Sequence, residues 1–156
     1  MRPLVVNATE LLRQPGSIRD VDTIVSLDEL DASDDRLSSD VTVDLRLEST
    51  LDDIVVTGIL AVEWSDTCRR CLRPLADTLR IAVDERDEAV NGQLDLTAMV
   101  HDELLLGTPD APLCRPDCPG LCPICGADLA AGPCGCDTTA RDERWAVLDQ
   151  LREQQT

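Results

Sequence analysis

Eight cysteines in a chain of 156 residues are the side chains best equipped for chemistry, and their spacing is that of metal ligands. Cys122-x2-Cys125 followed by Cys134-x1-Cys136 offers four soft anionic sulfurs within fifteen residues. Zinc has no geometric preference of its own and accepts a tetrahedral set of thiolates. Pro123, Gly126, Gly132 and Gly135 suit the tight turns that would aim four sulfurs at one point. Cys68-x2-Cys71 and Cys114-x3-Cys118 supply a second set of four. Sequence order leaves the pairing open. Cys118 and Cys122 could exchange roles, or a single zinc could combine the first pair with two downstream cysteines. Iron–sulfur ligation uses the same donors and is the chemical competitor. Structural Zn2+, one to two ions per chain, is the expectation.

Other chemistries find less support. A thiol redox centre needs one low-pKa thiolate, commonly at a helix N-terminus, with a resolving cysteine nearby. Cys68-Arg69-Arg70-Cys71 has cationic neighbours but leads into a strand pattern. His101, the only histidine, reads as a partly exposed residue of a helix. Asp95 has a capping role available, and Asp102 and Glu103 fit solvent, so no acid–base pair assembles. No glycine-rich phosphate loop occurs. A hydrolytic zinc keeps a water beside three protein ligands, whereas groups of four thiolates close their sites. The sequence therefore predicts neither a catalytic site nor a small-molecule substrate.

Charge narrows the partners. The chain has 31 acidic residues against 14 basic ones, all arginine, for a formal net charge of -17. Two four-thiolate zinc sites would take it to about -21. Such a body repels nucleic acid except through a local cationic patch. Arg69, Arg70 and Arg73 form that exception, and their planar guanidiniums can engage phosphate bidentately. Between residues 20 and 53, twelve carboxylates face Arg36 and Arg46 alone. This segment is either a solubilising surface or a face for a basic protein. Trp64 and Trp145 are the only aromatic residues, which removes the stacking platform of an aromatic-lined RNA-binding sheet.

Residues 4–6 are too short an apolar run for a secretory signal, and nothing approaches the roughly 20 apolar residues of a membrane span. A cytoplasmic location is expected. Its reducing conditions favour metal ligation over disulfides for the paired cysteines.

The elements that must hold these residues form an α+β fold. It is read as a predominantly antiparallel sheet or partly closed barrel with short helices and a cysteine-rich zinc-binding excursion. Asn7 with Glu10 and Val6 with Leu11 suit the capping box and hydrophobic staple of a short helix over residues 8–13, stopped by Pro15-Gly16. Residues 31–39 read as a mobile acidic loop. Val43, Leu45 and Leu47 alternate with polar residues as a strand with one wet face. Residues 54–64 are apolar on both parities, which places that strand centrally, and residues 75–83 form a third. Cys68-x2-Cys71 falls at the hairpin tip between them. Asp95 caps a helix stapled by Leu94 and Met99, presenting Leu96, Val100 and Leu104, and stopped near Pro109. The division is a body over 1–110, the excursion over 111–138, and over 139–156 a C-terminal helix docking on the body. That helix would be capped by Thr139 with Asp142 and would dock through Trp145, Leu148 and Leu151.

The ordered set resembles the YceD-like family, associated with accumulation of the large-subunit ribosomal RNA. The match comprises Cys68-x2-Cys71; Asp95-Leu96 leading to Glu103-Leu104-Leu105-Leu106 and Pro109; Cys114, Cys118, Gly120-Leu121-Cys122-Pro123-x-Cys125-Gly126 and Cys134-x-Cys136; and Asp142, Arg144 and Leu148. Pro119 stands where relatives often carry a basic residue. The resemblance implies a noncatalytic bacterial ribosome-biogenesis factor. Its partner would be large-subunit (23S) ribosomal RNA or its precursor, bound directly or in an early assembly complex. The alternative is a zinc-organised adaptor that binds a basic ribosomal protein without touching RNA.

Overall fold

The segment Val41–Ser49 shows how sequence becomes sheet here. Its residues are alternately buried and exposed along the whole length, with Val41, Val43, Leu45 and Leu47 facing in and Thr42, Asp44, Arg46 and Glu48 facing out. The structure is a computed structural model that describes residues 4–38, 40–51 and 53–137. Its elements are β1 (Val5–Asn7), α1 (Thr9–Arg13), β2 (Ile18–Val25), β3 (Val41–Ser49), β4 (Ile54–Thr67), β5 (Pro74–Asp87), β6 (Gln93–Asp95) and α2 (Thr97–Gly107). They build two antiparallel sheets, a pair β1-β6 and a four-stranded sheet in the order β2-β3-β4-β5. Of the two sheet forms read from the sequence, the open antiparallel one is present, with β2 and β5 at the edges.

β4 is central, as its two apolar faces indicate: Ile54, Val56, Leu60 and Val62 are buried on one side, while Val55, Ile59 and Ala61 line the other. Gly58 lies opposite Leu45 in the β3 register, at φ +152, where a Cβ would overlap the Asp44 carbonyl oxygen. Only glycine lets the two backbones approach this closely.

One apolar core gathers the inner sheet face with Leu4, Val6, Ala8 and Leu11 from the N-terminal segment and Leu94, Leu96, Val100 and Leu104 from β6 and α2. The N-cap residues of the two helices, Ala8 and Leu96, make no side-chain cap bond, and in each case the residue before them supplies the acceptor. Asn7 Oδ1 accepts the Thr9 N–H at 3.0 Å at the start of α1, and Asp95 Oδ1 accepts the Thr97 N–H at 3.1 Å at the start of α2. Thr108, extended ahead of Pro109, closes α2 by donating its hydroxyl to the Leu104 carbonyl at 2.7 Å.

The sequence reading missed β2, and the burial explains it. Ile18, Val21 and Ile24 recur every third residue, and of the strand's eight residues Val25 alone is buried. Pairing with β3, not an apolar face, defines this strand. The described part of the 31–39 loop, residues 31–38, is irregular but pinned, with Ala32 and Leu37 buried and Leu37 bridging Trp64. Arg36 forks onto Asp34 at 2.7 Å and donates to the Pro109 carbonyl at 2.7 Å.

The chain divides into two units: the described residues of Met1–Cys68 with Arg73–Pro112, and Arg69–Leu72 with the described residues from Leu113 onward. The helix expected over 139–156 lies outside the described residues. Among the described residues no helix is long and apolar enough to cross a membrane.

Candidate metal centres and the arginine turn

Strand β4 runs out at Thr67, and the Cys68 N–H donates to the Arg73 carbonyl at 2.8 Å to close a six-residue hairpin turn into β5. Leu72 takes φ 60 to make the reversal. The eight cysteines sort into two sets, Cys68, Cys71, Cys114 and Cys118, and Cys122, Cys125, Cys134 and Cys136. Within each set the sulfurs lie within 4.8 Å of one another. A tetrahedral zinc with bonds of about 2.3 Å separates its sulfurs by roughly 3.8 Å. Cys71 Sγ and Cys114 Sγ are 3.7 Å apart, far beyond a disulfide's roughly 2.0 Å, and all eight cysteines are free thiols. The donor chemistry and the spacing both fit one four-coordinate cation per set. Of the pairings that sequence order left open, the geometry matches the one with Cys118 and Cys122 in different sets.

The second set shows how a segment without a regular element builds such a site. The Cys122 N–H donates to the Ala127 carbonyl at 2.8 Å and the Gly126 N–H to the Cys122 carbonyl at 2.9 Å, with Gly126 at φ 73. This tight loop turns the Ile124 N–H onto the Cys122 sulfur at 3.4 Å. Backbone N–H groups of Cys125 and then Ile124 hold the Cys122 thiol down at about 6. Its neighbour Cys136 is pushed up to about 12, first by the Cys125 thiol beside it and then by burial. Four crowded thiols do not all ionise unaided, and a divalent cation reverses that balance.

The first set is knit to the turn through the backbone. Arg70 Nη1 donates to the Cys118 carbonyl at 2.9 Å, and the Leu121 N–H donates to the Arg70 carbonyl at 3.1 Å. Gly120, at φ 78, is the residue sequence reasoning undervalued: a Cβ there would stand 3.1 Å from the Arg70 carbonyl oxygen. Its position two residues before Cys122 was the available signal. Arg69, Arg70 and Arg73 are all exposed in the turn, and Arg70 spends a donor on the Cys118 carbonyl.

The other candidates stay dispersed. His101 Nδ1 is 2.9 Å from Asp102 Oδ1 on α2, and Asp95 is the helix-start acceptor. Among the described residues, the two cysteine sets are the groups that could hold a metal.

The family described as "Large ribosomal RNA subunit accumulation protein YceD" matches residues 82–152. An uncharacterized protein of Mycobacterium tuberculosis is 34% identical over 171 residues, covering 96% of this chain and 81% of that protein. An uncharacterized protein of Mycobacterium leprae is 30% identical over 169 residues, covering 96% of this chain and 77% of its own. No solved structure matches the chain.

Proposed function

The chain belongs to the YceD family of large ribosomal RNA subunit accumulation proteins, and on that footing we propose that it is a noncatalytic ribosome-biogenesis factor of the bacterial cytoplasm. It supports accumulation of 23S ribosomal RNA by holding that RNA or its precursor in an early assembly complex. The observation that carries the reading is the exposed turn bearing Arg69, Arg70 and Arg73 in a chain of net charge -17. An acidic protein meets phosphate only where cations are concentrated and fixed.

Zinc in both sets, held by Cys68, Cys71, Cys114 and Cys118 and by Cys122, Cys125, Cys134 and Cys136, would cross-link a segment with little core of its own and fix the turn that carries the arginines. The residues of the chain do the rest. The short turn limits the freedom that its exposed arginines would lose on binding, and a guanidinium there can engage a phosphate.

In-cell crosslinking followed by RNA identification supplies the fragment for the test. Affinity for that fragment is then compared over a salt series between the wild type and the Arg69→Glu/Arg73→Glu variant, both with full zinc content. The expected result is weaker binding and a log–log salt slope shallower by up to about 1.4, at roughly 0.7 per phosphate on a single strand. Unchanged affinity and slope would remove the turn as the RNA contact and favour the adaptor reading.

A further inference from the structure

Edge strands are where a sheet is open to a partner, and proteins usually shield them with lysine, proline, a bulge or a cover. β2 pairs with β3 on one side and, among the described residues, carries no strand on the other. Its eight-residue register runs from Ile18↔Glu48 to Val25↔Val41 one for one, without a bulge, and it contains neither lysine nor proline. The opposite edge strand, β5, differs: it opens on Pro74 and mixes Arg80 and Arg86 with Asp77, Asp84, Glu85 and Asp87.

The register also fixes what β2 shows to solvent. Ile18, Asp20, Asp22 and Ile24 share the outer face with Thr42, Asp44, Arg46 and Glu48. Asp20 reaches Arg46 at 3.8 Å, with the two side chains 74% and 53% exposed. Asp22 stands directly opposite Asp44, a like-charge cross-strand pair that does nothing for the sheet itself. Ile18 and Ile24 are 47% and 68% exposed at the two ends. The strand's one cation, Arg19, points to the other face and donates to the Asn7 carbonyl at 2.9 Å.

We propose that β2 is a docking edge for an extended basic segment of a partner protein, which adds to the sheet as a further strand. The backbone row supplies hydrogen bonds without regard to sequence, and the apolar–acidic–acidic–apolar outer face selects a segment with apolar and basic residues at matching alternate positions. A second copy of β2 is a poor occupant, because antiparallel pairing centred on Val21 sets Asp20 against Asp22 in both directions. RNA is a poor one too, since phosphate meets carboxylates here.

The test uses the full-length, zinc-loaded protein and a synthetic peptide of alternating arginine and valine, with the same peptide N-methylated at every residue as its control. Anisotropy measures affinity and amide hydrogen exchange locates the site. The unmodified peptide should slow exchange in residues 18–25, and N-methylation should weaken binding at least about tenfold. Asp20→Arg/Asp22→Arg should do the same, while Arg69→Glu/Arg73→Glu leaves peptide binding unchanged. That last arm separates this edge from the RNA contact. Failure of the unmodified peptide to bind, equal binding of the N-methylated one, or protection at β5 or the arginine turn in place of β2 overturns the proposal. So does concentration-dependent protection of β2 without peptide, which would assign the edge to a second copy.

Discussion

Arg70 donates a hydrogen bond from Nη1 to the Cys118 carbonyl oxygen at 2.9 Å, joining the hairpin turn to a segment 48 residues further along the chain. Three residues on, the Leu121 N–H returns a bond to the Arg70 carbonyl. Arg70 is therefore a positioning residue, unlike its neighbour Arg69. Arg70→Ala is expected to raise hydrogen exchange in residues 113–122, with a local cost of about 1–2 kcal/mol for the lost charged donor. Arg69→Ala should leave exchange there untouched and reduce the RNA salt slope by roughly 0.7. Equal exchange in the two variants would show that the bond carries no structural weight.

Metal content checks the two cysteine sets. Protein purified without added metal should hold two zinc ions per chain, one for each set. Cys125→Ser, which removes one of four ligands in the second set, should lower the content towards one and loosen residues 122–136. The sheet should survive, because Val41, Leu45, Val56, Leu60 and the rest of the apolar core lie in the other unit. Iron, or well under one zinc per chain in a fully folded and reduced protein, would overturn the assignment.

At Gly58 the backbone alone predicts the outcome. A methyl group would overlap the Asp44 carbonyl oxygen and lie 2.8 Å from the Leu45 Cα, at a φ that L-residues rarely adopt. Both obstacles are main chain of the neighbouring strand, so no side chain can swing aside. Gly58→Ala should cost about 2–4 kcal/mol in denaturant unfolding. A loss under about 0.5 kcal/mol would mean that β3 and β4 separate easily.

How much of this was legible depends on what each residue's signal reports. Val43, Leu45 and Leu47 announce their strand because alternation and burial coincide, and the central place of β4 follows from its two apolar faces. β2 gives no such signal, since its pairing with β3 is a long-range property and its isoleucines are exposed. The cysteine spacing identified the ligand types. It also put forward the same two sets of four while leaving an exchange of Cys118 and Cys122, close in sequence, open; the geometry puts those two in different sets. Arg70 was legible as a cation but not as a donor to Cys118, a contact that exists only once the distant segment has folded back.

The Asp34–Arg36 fork carries the clearest pH dependence in the sheet unit. Arg36 donates to both carboxylate oxygens of Asp34, at 3.0 Å from Nε and 2.7 Å from Nη2, and reaches the Pro109 carbonyl from Nη1. The hydrogen bond from Arg36 is the main cause that holds the Asp34 carboxyl below its ordinary value. A depressed carboxylate favours folding where it is ionised in both states, so the contribution is fully present above the unfolded value of about 3.9. It fades as pH falls through the lower, folded value. Asp34→Asn should therefore lower stability by about 1 kcal/mol at pH 7, and the gap to the wild type should close as the pH drops below about 4. Unfolding by urea at pH 7 and again near pH 3 reads both ends. A gap of equal size at the two pH values would mean that the Asp34 charge contributes nothing and that the side chain acts by shape alone.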